Sequence, residues 1–239
     1  MRLRVQGTIL AAALLVIAGS DGRMLAAPGA SSSSLAKLKS GNARFVSSPQ
    51  DALPVDAGRR AALAKGQTPF ATVLSCADSR VPPEIVFHTG LGDLFVVRAA
   101  GNITDKAILA SVEYSVEHLN VPLVVVMGHE SCGAVKAAVE TPAGQSLGPN
   151  LDYLVSAIRP SVNATASRPE AERMRAAILA NVEETLNDML TGSAILREAG
   201  KEGKVAFVGA YYELASGKVY FSEPVAPPPG EPRATGGHQ

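Results

Sequence analysis

The chain has 239 residues, 46% of them hydrophobic, which is enough for one large domain or two small ones around a real core. Lys plus Arg and Asp plus Glu both total 22, so the formal net charge is zero. That balance argues against a nucleic-acid binder held by phosphate neutralisation.

The N-terminus reads as a secretory signal peptide, residues 1–27. Arg2 and Arg4 form a basic start, and the apolar run Thr8–Ala18 is too short to span a bilayer comfortably. Small residues follow at Ala18-Gly19-Ser20 and Ala26-Ala27, so cleavage falls between about Ser20 and Ala27. The alternatives are a buried N-terminal helix or an uncleaved anchor. Export predicts a secreted, periplasmic protein with no stable membrane span in the mature chain.

Residues 28–34 are small and polar and read as a linker. Leu35, Leu38 and Phe45 then share one helical face, with Ser34 as a possible N-cap. Arg59–Lys65 is a second short helical stretch, stopped by Gly66. Strand signals follow at Phe70–Leu74, Leu94–Val97 and Val121–Met127, and the apolar run at 123–127 suits a strand buried on both faces. Helical spacing occupies Thr104–Leu119, and Ala134–Val139 starts another helix. Pro169–Leu190 is amphipathic, with Met174, Ile178, Val182, Leu186 and Met189 as its apolar stripe. Ser193 caps a helix ending at Gly200. Val205–Leu214 and Val219–Phe221 read as strands joined by a turn. From 224 to 239 the chain is Pro/Gly-rich and is expected to be disordered. The alternation over 35–223 predicts an α/β domain, a mostly parallel β-sheet flanked by helices, behind an N-terminal helical arm.

In such sheets, sites form beyond the carboxyl ends of the strands. Cys76 follows the first strand and His129 follows the third, with Cys132 three residues on. Two thiolates and an imidazole suit zinc, and three ligands leave a fourth tetrahedral position for water. Two thiolates cancel the charge of the metal, so that water should be less acidic than on a three-imidazole site and activity should rise into the alkaline range. Asp78 can accept a hydrogen bond from a zinc-bound hydroxide, or bind the metal itself and close the site. A bidentate Arg80 would settle that choice. The plainer alternatives are one disulfide between the chain's two cysteines and a surface turn carrying an ordinary ion pair. His129-Glu130 lacks a second His at i+4, so the metalloprotease motif is absent.

Cys76–Arg80, Gly92–Asn102, Ser111–Tyr114 and Gly128–Val135 resemble the β-class carbonic anhydrases. Leu38–Phe45 resembles that family's N-terminal helix, Val205–Val219 its last strands, and the likeness runs from about Leu35 to Phe221. The resemblance implies zinc-dependent reversible hydration of CO2 to bicarbonate and a proton, by a zinc-bound hydroxide. It implies one Zn2+ per subunit on Cys76, His129 and Cys132, and a catalytic dyad of Asp78 and Arg80. It also implies a substrate pocket of Gln67, Phe95, Ala100 and Tyr114, and a homodimer or tetramer whose pocket draws on both subunits; Gly133, placed at that substrate pocket, reads with Gly101 as a point of tight backbone approach. Some members carry an inhibitory bicarbonate site built on a Trp, an Arg and a Tyr. Here Val73 takes the Trp position and Arg98 matches the Arg, which favours the open form of the zinc site. Hydrolysis of carbon disulfide or carbonyl sulfide is the alternative on the same scaffold, and a non-catalytic zinc- or bicarbonate-binding protein is the other.

Overall fold

In the computed structural model, residues 29–228 are described. The expected signal peptide, residues 1–27, lies outside them. Among the described residues no helix is long and apolar enough to cross a membrane.

Five strands form one sheet: β1 (Ala71–Ser75), β2 (Leu94–Arg98), β3 (Leu123–His129), β4 (Ala206–Tyr212) and β5 (Val219–Val225). Their order is β2-β1-β3-β4-β5, all parallel except the β4/β5 pair. The mostly parallel α/β sheet expected from the sequence is present. Every residue of β1 and β3 is buried, as a central parallel strand covered on both faces requires.

The alternation of β3 divides the core. Leu123, Val125 and Met127 join a cluster with Leu38 of α1 (Ala30–Ser47) and with Val86 and Phe87, at the end of α3 (Pro83–Val86). Val124 and Val126 point the other way. They meet Val112 and Val116 of α4 (Lys106–Glu117), Val182 and Leu186 of α7 (Glu170–Gly192) and Leu196 of α8 (Ala194–Lys201). The remaining helices are α2 (Ala57–Leu63), α5 (Gly133–Glu140) and α6 (Pro149–Ala164).

Besides the short α3, three segments differ from the sequence reading. The small polar run expected as a linker at 28–34 is helical from Ala30, because Ser34 shares a buried face with Leu38 and Asn42 and tertiary packing overrides weak serine propensity. The tail expected to be disordered from 224 begins ordered: Pro224 and Val225 belong to β5 and pair with Val208 and Phe207. Residues 229–239 lie outside the described residues. Helix α6 has no counterpart in the sequence reading. Its internal Pro160 argues against a helix, yet Val155, Ile158, Ser161 and Val162 are buried on one face.

The register places the site. Ser75 aligns with Arg98 on one side and Met127 on the other, so the ends of β1, β2 and β3 lie side by side.

Candidate active site

Cys76 leaves the end of β1, His129 is the last residue of β3, and Cys132 is the N-cap of α5. All three are buried, and one ligand atom from each lies within 4.8 Å of the others. The 52 residues between Cys76 and His129 are therefore closed by adjacent parallel strands, and Cys132 is delivered by a turn in which Ser131 takes a left-handed φ of 55°.

The histidine is oriented for a metal. Its Nδ1 lies 2.9 Å from the Glu130 carbonyl oxygen, which can only accept, so Nδ1 carries the proton and Nε2 keeps its lone pair. Nε2 is buried and has no hydrogen-bond partner. An orphaned nitrogen lone pair beside two sulfurs is the donor set of a soft tetrahedral metal, and zinc fits it.

The sulfurs differ in their surroundings. The backbone N–H groups of Asp78 and Gly101 donate to Cys76 Sγ at 3.4 and 3.3 Å. The Cys132 thiol beside it is the main reason the pKa of the Cys76 thiol is lowered despite burial. The same contact, with burial, pushes Cys132 up.

Asp78 faces this cluster but is held elsewhere. Arg80 donates to it as a fork, Nε to Oδ1 at 2.9 Å and Nη2 to Oδ2 at 2.7 Å, and the Arg80 backbone N–H adds a third bond to Oδ1 at 2.9 Å. Arg80 Nη2 also reaches the Ser131 carbonyl at 3.3 Å, which ties the pair to the Cys132 turn. These bonds hold the Asp78 carboxyl well below the usual carboxylate range. Asp78 Oδ2 lies 3.9 Å from His129 Nε2. The carboxylate is therefore ionised, acceptor-only and committed to arginine rather than to the ligand triangle.

Arg98 plays a part that the sequence reading did not give it. Its Nε donates to the Cys76 carbonyl at 2.9 Å and its Nη2 to the Asp78 carbonyl at 2.6 Å, clamping the loop that carries both residues. The neighbouring position Val73 is fully buried in β1. The pairing of β1 with β2 is the signal that could have placed Arg98 there, since it aligns with Ser75.

Ala100 and Gly133 flank the cluster in the chain: Ala100 precedes the Gly101 amide, and Gly133 opens α5 with nothing within 4 Å of where a Cβ would stand, so the tight backbone approach expected at Gly133 is absent within one chain. Gln67 and Tyr114 are exposed, and Phe95 packs with the Val112 and Val116 cluster rather than with the one that holds Cys76 and Cys132. Gln67 is exposed and lines a shallow surface pocket with Leu63, Leu91 and Gly92. Phe95 and Tyr114 face each other at 6.2 Å between ring centroids, and Tyr114 is 48% exposed.

A model of the family described as carbonic anhydrase matches residues 71–219. Carbonic anhydrase 2 of Mycobacterium tuberculosis is 42% identical over 182 residues, covering 76% of this chain and 87% of that protein. The carbonic anhydrase of Mycolicibacterium smegmatis is 40% identical over 188 residues, covering 76% and 88%. Among solved structures, the Coccomyxa β-carbonic anhydrase in complex with acetazolamide superposes with a TM-score of 0.65 at 27% identity, covering 72% of this chain and 80% of that one. A tetrameric β-carbonic anhydrase of Sordaria macrospora gives 0.63 at 28% identity, covering 70% and 87%.

Proposed function

Because the chain belongs to the β-class carbonic anhydrases, enzymes of reversible CO2 hydration, we propose that its Cys76, His129 and Cys132 hold one zinc ion per subunit and that Asp78 and Arg80 serve the reaction beside it. The observation that carries this reading is the unpartnered, buried Nε2 of His129 aimed at two sulfurs.

Zinc bound there would supply a Lewis-acidic position that makes a water molecule acidic enough to lose a proton near neutral pH. Asp78 gives direction. Its carboxylate can only accept, so a water or hydroxyl beside Oδ2 must point its hydrogen at Asp78 and its lone pair away, toward the carbon of CO2. Arg80 keeps both carboxylate oxygens oriented and keeps Asp78 from the metal position, which supports an open site. The water oxygen bonds to carbon, one C–O double bond becomes single, and the released proton passes to solvent.

Ala100 and Gly133 border the substrate space of the same subunit. Gln67, Phe95 and Tyr114 would complete the pocket of a partner subunit. The exposure of Gln67 and Tyr114 supports that arrangement, and the tetrameric Sordaria relative supports an oligomer. The functional unit is then a homodimer or a tetramer. The charged and apolar pattern of residues 1–27 supports export, to the periplasm, as a signal peptide.

Stopped-flow CO2 hydration from neutral to alkaline pH, with zinc content measured on the same sample, tests this reading. Turnover that rises with pH, with about one zinc per chain, is expected by analogy with zinc-activated water. Protein that binds zinc and hydrates no CO2 at any pH would overturn the site assignment.

A further inference from the structure

A buried amide on α7 holds the backbone that donates to Cys76. Asn181 is 2% exposed and sits between Ile178 and Val182 on the buried face of α7. Its Nδ2 donates to the Gly101 carbonyl at 2.7 Å, across 80 residues of sequence. Gly101 in turn donates its own N–H to Cys76 Sγ at 3.3 Å. Gly101 has a φ of 65°, and a Cβ there would stand 2.7 Å from Ile158 Cδ1 and 3.1 Å from Ala134 Cβ. The turn thus has glycine's conformational freedom, no room for a side chain, and one side chain fixing its carbonyl.

An amide on an apolar helix face needs a reason, because leucine would bury more apolar surface with no polar group to satisfy. We propose that Asn181 is a positioning residue for Cys76: it locks the left-handed turn at Gly101 so that the Gly101 N–H stays on the Cys76 sulfur. That N–H withdraws electron density from the thiolate. A less donating thiolate leaves more positive charge on the metal and favours ionisation of its water. The inference rests on the reading that Cys76 is a zinc ligand.

The test is Asn181→Leu in the full chain, compared with wild type after cobalt substitution and in zinc competition with a chelator. The sulfur-to-cobalt charge-transfer band should move to longer wavelength, because a thiolate without its N–H donor gives up electrons more easily. Zinc affinity should fall by about 10- to 100-fold, the usual cost of losing an outer-shell partner. The alkaline rise in activity should also move to higher pH. Leu186→Val, which loosens α7 one turn away, should lower stability and leave the band in place. If Asn181→Leu does not fold, Asn181→Ser gives the same readings, since its short side chain does not reach the Gly101 carbonyl. An unshifted band with wild-type zinc affinity in the folded variant would overturn the positioning role alone. Wild-type protein that takes up neither zinc nor cobalt would overturn the metal-site reading instead.

Discussion

Arg80 and Asp78 meet as a fork, Nε on Oδ1 and Nη2 on Oδ2, so the carboxylate that faces His129 has both oxygens occupied before any substrate arrives. Two parallel bonds fix the plane of the carboxylate as well as its position. An ammonium group supplies charge without that plane. Arg80→Lys should therefore keep zinc and lose roughly 10-fold or more in kcat/KM, while Asp78→Ala should lose about 100-fold, the scale of a misdirected proton acceptor. Stopped-flow assays on both variants, with zinc content held equal, check the order. Equal activity in wild type and Asp78→Ala would remove Asp78 from the reaction.

The same pair sets a pH dependence of stability. Arg80's hydrogen bonds lower the folded-state pKa of Asp78 below its unfolded value of about 3.9. A depressed carboxyl contributes stability that is fully present above the unfolded pKa and is lost as pH falls through the folded one. Asp78 should therefore add nothing to the pH dependence between about pH 5 and 9, and should steepen the loss of stability below about pH 4. Urea unfolding of metal-free wild type and Asp78→Asn across that range reads it directly. The two curves should run parallel at neutral pH and converge in acid.

Asn42 ties the N-terminal helix to the end of the chain. Its Nδ2 donates to the carbonyls of Gly217 at 2.8 Å and Val86 at 3.1 Å, and its Oδ1 accepts from the Val219 N–H at 2.9 Å. Replacing a buried amide that satisfies three backbone groups leaves them stranded. Asn42→Leu should cost about 2–3 kcal/mol by the price of unsatisfied buried polar groups. The loss should show as a lower urea midpoint and as faster amide exchange confined to α1 and the β4–β5 turn.

Gly128 precedes His129 in β3 and faces α7. A Cβ at that position would stand 2.7 Å from Val182 Cγ2 and 3.0 Å from Ile178 Cγ2. Gly128→Ala therefore overpacks the contact and should cost about 1–3 kcal/mol. It should also weaken zinc binding, because the strain enters the backbone one residue from the imidazole. Calorimetry with and without metal separates the two effects: the gain in Tm on adding zinc should be smaller in the variant.

The sequence made the fold legible where its periodicity was strong. The continuous apolar run at 123–127 is β3, and the stripe from Ile178 to Met189 is the buried face of α7. The grouping of Cys76, His129 and Cys132 and the pairing of Asp78 with Arg80 were legible because short local spacing suggests them and strand ends carry them together. Helix α6 was not, because Pro160 breaks the propensity signal while packing against α5 and α7 supplies the helix. The clamping role of Arg98 and the place of Asn181 were not, because their partners are backbone atoms: the Cys76 and Asp78 carbonyls for one, the Gly101 carbonyl for the other. No side-chain pattern announces a bond to a carbonyl.

The two sulfurs give a final prediction, on removal of metal. Cys76 and Cys132 are free thiols, 4% and 1% exposed, with their sulfurs inside one 4.8 Å triangle. The N–H groups of Asp78 and Gly101 donate to Cys76 Sγ and favour its thiolate, the form that oxidises. Metal engages the sulfur lone pairs and blocks that chemistry. Chelated protein exposed to a mild oxidant should therefore join Cys76 to Cys132, with a mass loss of two hydrogens and loss of cobalt or zinc uptake until a reductant is added. Zinc-loaded protein under the same oxidant should keep both thiols, counted by alkylation and mass spectrometry after unfolding. Equal oxidation with and without zinc would show that the sulfurs do not hold the metal, whatever the activity.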